Sequence, residues 1–555
     1  MQAEGGSGGG RIRETAPRDV DGPAFGPGGV DRRSFLRGLA ALGAGGALAS
    51  VLGDEAAAHR SRRRRRRRPG FATAFPDGVM SGDPRPYGGV LRTRVEAPED
   101  GAPVPVLWLV CEDSGLRRVV RGGVTWAREA HGHSVKVAVR GLRPDRWYHY
   151  RFYAPGARSH VGRLRTAPRR GATPDRLRYA FASCQQRNDS FYVAHRSIAE
   201  EDVDFWMHLG DYIYVSDTGD LTLEDYRRRW RIFQSEPNLQ ALQARVPIVS
   251  MFDDGEFYNG VDSTGPPDRL AAARTAWFEA MPILRRRDDR AYRSFRWGRL
   301  AEVLMIDVRT HRDPEVPANA NIFGALDLQD SRIPPGPDMF APDRTTLGAR
   351  QQRWLERRLA RSRGRWRLIG NPYNMNPWRI QDLDSPERRA MNPDLQRNEG
   401  VYVSNEAWDD YQAERREVLE FIERRSIENV VFTSGHTHFY LASELQPDFD
   451  DPDSPSVAVD FVTGSLTADP DPREIADEGT LKLAEQLFLV NNMPYLRYVD
   501  LLSQGYALVE VTPEEATVEY RVLDTFDPEA RARTAARFRV ASGSGKIEID
   551  FDERV

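Results

Sequence analysis

The rhythm of hydrophobic and polar positions changes along this chain. From Phe71 to about Pro168, short apolar runs are separated by Gly, Pro and Asp: Gly89-Val90-Leu91, Val104–Cys111, Ser134–Val139 and Trp147–Phe152. Strand-length runs at this spacing predict an all-β, immunoglobulin- or fibronectin-like domain over residues 71–168. An Arg/Pro/Gly-rich linker, Ala167 to Pro174, follows. From Arg176 the texture becomes strands alternating with helical runs, which predicts an α/β fold over 175–525. The expected strands are Leu177–Ala182, Val203–Leu209, Val246–Phe252, Glu302–Asp307, Trp366–Ile369 and Asn429–Thr433. The expected helices are Leu223–Gln234, Arg269–Ala280, Ala349–Ser362 and Trp408–Arg425. Strands return at Val459–Val462, Gly505–Thr512 and Ala516–Val522, and residues 526–555 read as a C-terminal tail.

Residues 1–58 read as a targeting segment. Gly-rich sequence leads to Asp31-Arg32-Arg33-Ser34-Phe35-Leu36-Arg37, a twin-arginine pattern, then a mildly apolar stretch, Gly38 to Gly53. Ala56-Ala57-Ala58 supplies the small residues of a cleavage site, and the stretch is short and Gly-rich for a membrane span. The expectation is export through the twin-arginine machinery to the extracellular, periplasmic or cell-wall space. That route carries proteins already folded. Seven arginines, Arg62–Arg68, make residues 59–70 a solvated tether.

With 555 residues the chain can bury a large core. Its net charge of -3 argues against nucleic acid as a partner, and no protein partner is expected beyond the export machinery. The two cysteines, Cys111 and Cys184, exclude a disulfide framework and leave either one bridge or one working thiolate.

The chemistry lies at strand ends. Leu177–Ala182 runs into Ser183-Cys184-Gln185, Val203–Leu209 into Gly210-Asp211-Tyr212-Ile213-Tyr214, and Val246–Phe252 into Asp253-Asp254-Gly255-Glu256. Trp366–Ile369 runs into Gly370-Asn371, and Asn429–Thr433 into Ser434-Gly435-His436-Thr437-His438. Open α/β sheets place their chemistry in the crevice at such ends. Imidazoles and carboxylates crowded there are satisfied together by metal ions, and one carboxylate, Asp211, is placed to bridge two of them. Taken singly, each element has a plain structural alternative: a turn, a helix cap or a small buried residue.

The order of these motifs resembles the metallophosphoesterase superfamily and, in detail, the alkaline phosphatase D (PhoD-like) family, with some features similar to purple acid phosphatases. Phe75–Pro84 and Gly162–Pro168 resemble the entry to and exit from that family's N-terminal sandwich. Ala182–Gln185, His208–Tyr214, Met305–Thr310, Leu347–Leu355 and Trp408–Arg415 resemble its catalytic core. The resemblance implies a four-layer α/β/β/α sandwich carrying iron (Fe3+) and a second divalent metal (Ca2+, Mn2+ or Zn2+). It implies that Cys184, Asp211, Tyr214 and His438 hold the iron. It implies too that Asp211, Asp254, Asn371 and His436 hold the second ion and form the catalytic set, with Asp409 as a candidate further ligand nearby.

Two positions depart from the family pattern. Gly255 stands where an imidazole is usual and is expected to leave room beside the second ion, while His436 stands where Asp is usual. Loss of an acid group near the leaving oxygen costs rate, and an imidazole in place of a carboxylate favours a transition metal over calcium. The expected activity is hydrolysis of phosphodiesters, phosphomonoesters or both by a metal-activated hydroxide, with wall polymer or phospholipid among the substrates the resemblance implies. The rival reading, supported by Gly255, is a degenerate, non-catalytic protein that keeps its metals and binds phosphorylated surface polymers.

Overall fold

In the computed structural model, the structure describes residues 20–21, 30–31, 75–187, 190–215, 221–316, 337–382, 400–402, 407–451, 453–468 and 477–554. The twin-arginine motif's Arg32 and Arg33, the cleavage site and the Arg62–Arg68 run lie outside them.

Two large sheets face each other. In the first, ten strands lie in the order Glu548–Asp552, Arg533–Ala541, Glu515–Val522, Gly505–Val511, Leu177–Ala182, Phe205–His208, Ile248–Ser250, Val79–Arg85, Gly88–Arg94 and Ser134–Arg140. The second has seven, in the order Arg293–Trp297, Ala301–Met305, Trp366–Tyr373, Val430–Gly435, Ala458–Val462, Tyr440–Leu445 and Leu496–Asp500. The central strands of both run parallel. Such strands are covered on both faces, so they read as continuous apolar runs. Phe205–His208 and Val430–Gly435 are buried at every position.

One core lies between the sheets. Phe181, Met207 and Val509 from the first share it with Val303, Leu368, Val431 and Phe461 from the second. Toward the C-terminal strands, aromatic rings of Tyr440, Tyr498, Tyr520 and Phe538 interlock across the gap. Helices cover the outer faces. Leu223–Gln234 begins at a capping box between Thr222 and Asp225, and Gly348–Arg361 buries Gln351, Trp354, Leu355 and Leu359, one stripe at helical spacing. The result is the α/β/β/α sandwich expected.

The N-terminal strands carry a finding the sequence reading lacked. Val79–Arg85, Gly88–Arg94 and Ser134–Arg140 extend the first catalytic sheet, joined through Ile248 opposite Gly82. A further sheet, with Arg118–Ala127, Val104–Cys111, Arg146–Ala154 and Gly162–Thr166 in order, packs on this extension through Val106, Trp108, Tyr150, Leu91 and Val137. The two short strands Val20–Asp21 and Val30–Asp31 pair with its outermost member, Arg118–Ala127.

Other elements differ from expectation. Trp408–Tyr411 is a 3-10 turn, and the α-helix runs Gln412–Arg424. Arg118–Ala127 escaped the reading because Arg121-Gly122-Gly123 interrupts its apolar pattern. Within the segment read as a tail, Arg533–Ala541 and Glu548–Asp552 are paired strands at the sheet edge. Cys111 and Cys184 are both buried and neither is in a disulfide, so they form no bridge.

Candidate metal centre

The crevice is built from sharp turns after parallel strands. Cys184, Asp211, His436 and His438 all have positive φ, at 59°, 56°, 75° and 60°. Side chains other than Gly seldom tolerate this region, and such strain collects at working sites. Gly210 precedes Asp211 at φ 107°, and a Cβ there would meet Asp253 Cβ at 2.3 Å. Its lack of a side chain lets the two acidic turns touch.

Two groups of ligand-type atoms result. Cys184, Asp211 and His438 form one; Asp211, Asp253, Asp254 and His436 form the other. Asp211 belongs to both. In the first, Asp211 Oδ2 lies 3.4 Å from Cys184 Sγ and 3.3 Å from the Tyr214 hydroxyl. Tyr214 in turn lies 3.1 Å from His438 Nε2. In the second, His436 Nδ1 is 2.8 Å from Asp253 Oδ2 and 3.9 Å from Asp211 Oδ2.

The donors fit metal ions. Burial, then the charge of Asp211, pushes the Cys184 thiol well above its usual range. Burial, then Asp253 and Asp254, does the same to the Asp211 carboxyl. Acidic groups packed this closely out of water call for positive charge, which metal ions provide. Thiol, phenol and imidazole in the first group suit a transition metal; the second is richer in oxygen.

Residues the sequence reading did not assign hold these ligands. Glu256 accepts the backbone N–H groups of Asp211 (3.0 Å), Tyr212 (2.9 Å) and Asp253 (2.9 Å), fastening both acidic turns to one carboxylate. Burial pushes Glu256 up to about 8 against the pull of those backbone donors. Arg309, fully buried, donates from Nε to Asp253 Oδ1; its Nη2 is 3.6 Å from Asp254 Oδ2 and 3.2 Å from His436 Nδ1. Burial would raise the Asp253 carboxyl, but Arg309 and His436 outweigh it and hold the group below the usual carboxylate range. Gln351 steadies the turn leading to Arg309: it accepts from Asp307 N–H at 2.8 Å and donates to Asp307 O at 2.6 Å. The signal for Arg309 was its place in Met305–Thr310, after a strand ending in the crevice.

The other expected residues are placed as follows. Asp254 sits in the second group and accepts from Gly260 N–H at 2.9 Å. Asn371 pairs in register with Ser434, two residues before His436, and its Oδ1 accepts from Trp408 Nε1 at 3.4 Å. Asp409 joins neither group. Its Oδ1 accepts from Arg415 at 2.6 Å and its Oδ2 from Trp378 N–H at 2.9 Å, which spends it on fastening the helix Gln412–Arg424 to the loop after Tyr373.

Gly255 corrects an expectation. There is no room beside it: a Cβ would stand 2.7 Å from Asp211 Oδ1 and 2.7 Å from Ile213 O. Its N–H donates to Asp211 Oδ1 at 2.9 Å, and that carboxylate and the Ile213 carbonyl occupy the place a side chain would need.

Comparison with known proteins places the chain in a family. The family model described as PhoD-like phosphatase matches residues 179–520, and PhoD-like phosphatase, N-terminal domain, matches 58–168. The chain belongs to the PhoD-like phosphatase family. It is 32% identical to alkaline phosphatase D of Bacillus subtilis (strain 168) over 550 residues, covering 92% of this chain and 87% of that protein. A solved structure titled "Structure of PhoD" superposes with a TM-score of 0.74 at 30% identity, covering 87% of this chain and 94% of that one. As a PhoD-like phosphatase the protein is a phosphoester hydrolase, and its substrates are phosphate esters.

Proposed function

We propose that this PhoD-like phosphatase is an exported, two-metal phosphoesterase acting on phosphodiesters and phosphomonoesters. The observation that carries the reading is Asp211, one carboxylate shared by two ligand groups at the mouths of parallel strands. Cys184, Asp211, Tyr214 and His438 would hold iron; Asp211, Asp254, His436 and Asn371, together with Asp253, would hold the second ion. Metal ions there supply Lewis-acid stabilisation of phosphoryl charge and an acidified water. Glu256 keeps Asp211 and Asp253 facing the same space. Arg309 offsets the carboxylate charge and orients Asp253 against His436. The Gly255 N–H fixes the rotamer of Asp211, so both oxygens of the shared carboxylate are aimed before substrate arrives.

No imidazole stands at position 255 to protonate a departing oxygen. Esters with acidic leaving groups, such as aryl phosphates, are therefore favoured over alkyl esters. The test is turnover of p-nitrophenyl phosphate and bis(p-nitrophenyl) phosphate by purified, metal-loaded protein. Hydrolysis of either supports the enzyme reading. No turnover of any ester by protein that retains its metals establishes the rival, a binding protein for phosphorylated surface polymers. Export by the twin-arginine route, to the extracellular, periplasmic or wall space, rests on Arg32-Arg33 and the apolar stretch behind them.

A further inference from the structure

One buried acid has no part in the site described above. Asp460 lies in the middle of the strand Ala458–Val462, fully covered. Its Oδ1 accepts from Ser434 Oγ at 2.7 Å and its Oδ2 from Met375 N–H at 2.8 Å. Both donors are neutral, and among the described residues no cation pairs with this carboxylate. Burial pushes it up to about 6 against the pull of those two hydrogen bonds. A carboxylate held out of water on neutral donors is a costly means of tying a strand to a loop. An asparagine there could not serve both donors, because its amide offers one oxygen.

What this carboxylate controls is the direction of a hydrogen-bond relay. Ser434 has one hydroxyl hydrogen, and Asp460 receives it. Ser434 Oγ can then only accept from its other neighbour, the side chain of Asn371. Asn371 accordingly turns Nδ2 toward it, donating at 3.1 Å, and gives its second amide hydrogen to the Tyr373 carbonyl. Oδ1 is left as the other end, where it accepts from Trp408 Nε1 over a long 3.4 Å. The oxygen and the NH2 group of an amide are nearly the same size, so packing scarcely tells them apart. Toward a metal ion they are opposites: the oxygen is a ligand, and the NH2 group is a donor that cannot be one. The relay crosses three adjacent strands, with Asn371 opposite Ser434 and Asp460 opposite Phe432. His436 follows Ser434 by two residues, and its ring centroid stands 6.3 Å from that of Tyr373.

We propose that Asp460 is a positioning residue for the second ion: by taking the Ser434 hydroxyl hydrogen, it keeps the oxygen of Asn371, not the NH2 group, available to metal. It acts through Ser434 and belongs to neither ligand group. This rests on the two-metal reading above, in which Asn371 is a ligand, and the experiment separates the two. Metal-stripped full-length protein is titrated with Mn2+ and, in parallel, with Zn2+, and the affinity of each binding class is read by equilibrium dialysis with elemental analysis. Wild type is compared with Asn371→Ala, Asp460→Asn, Ser434→Ala and the Asp460→Asn, Ser434→Ala double variant. Asn371→Ala identifies the class that depends on the amide. Asp460→Asn and Ser434→Ala should each weaken that class by at least about tenfold, the scale on which outer partners of metal ligands act, and leave the other class within about twofold. The double variant should bind no more weakly than the weaker single one, as members of one relay require. Equal weakening of both classes, full affinity in folded Asp460→Asn, or losses that multiply in the double variant would overturn the relay. If wild type binds two ions of neither metal, or Asn371→Ala binds both as wild type does, the reading above fails and this inference with it. Loss in Asn371→Ala with full affinity in Asp460→Asn refutes the relay alone and leaves Asn371 a ligand. Should Asp460→Asn not fold, Ser434→Ala decides by the same comparison of the two classes.

Discussion

Asp211 and Gly255 show how much rests on single side chains here. Asp211 is common to both ligand groups, and its two oxygens meet Cys184, Tyr214 and the Gly255 N–H. Asp211→Ala is expected to abolish binding of both metals, measured by elemental analysis of purified protein; full metal content would remove Asp211 from the site. The neighbouring glycine is the finer probe. A single methyl at position 255 would stand 2.7 Å from Asp211 Oδ1, well inside contact distance. Gly255→Ala should therefore displace the shared carboxylate and lower kcat at least tenfold, while global stability falls by about 1–3 kcal/mol. Wild-type kinetics in that variant would show that Asp211 tolerates the shift. An imidazole installed there meets the same obstruction, so Gly255→His is expected to lose metal before it gains any acid catalysis.

At the level of elements, the turns are positioned by buried acids that never reach the crevice. Glu414, on the helix Gln412–Arg424, accepts from Thr345 Oγ1 at 2.7 Å, Thr346 N–H at 2.6 Å and Leu347 N–H at 3.2 Å. It thereby joins that helix to the start of Gly348–Arg361, whose Gln351 braces the Arg309 turn. Burial pushes the Glu414 carboxyl up from 4.5 to about 7. The folded state therefore binds its proton more tightly than the unfolded chain does. The stability this adds is complete below pH 4.5 and is lost as pH rises through about 7. In Glu414→Gln the difference in unfolding free energy between pH 5 and pH 8 should shrink by on the order of 1–3 kcal/mol. Denaturant melts at the two pH values check this, and an unchanged difference would show that Glu414 titrates normally.

The whole molecule is bound together by a shared sheet. Because Val79–Arg85 pairs with Ile248–Ser250, and Arg92 reaches across to Gln234 at 2.9 Å, the N-terminal strands are continuous with the catalytic layer. A chain beginning at residue 175 would expose the edge of the short Ile248–Ser250 strand beside the Asp253 turn. Such a truncation is expected to aggregate or lose metal; a soluble, active fragment would show that the junction is dispensable. Export is tested on the full chain: Arg32→Lys with Arg33→Lys should leave uncleaved protein in the cytoplasm, detected by fractionation, and normal export would remove the twin-arginine assignment.

The residues alone determined the α/β layering, because continuous apolar runs such as Tyr179–Ala182 and Val430–Val431-Phe432 have no other way to hide both faces. They also determined that polar ligand types follow those runs, which placed Asp211, Asp254, His436 and His438 at one edge. Tertiary structure alone decided which donors converge. Asp253 joins the second group and Asp409 does not, since whether a carboxylate faces a crevice or an arginine such as Arg415 depends on contacts distant in sequence. The same holds for Gly255, whose empty side-chain position is filled by Asp211 from another strand end. It holds too for the N-terminal strands, whose alternation fits a separate sandwich as well as an extended sheet. Periodicity reports the burial of each face but not the identity of its neighbour; strand pairing and charge compensation are settled by what the fold brings alongside.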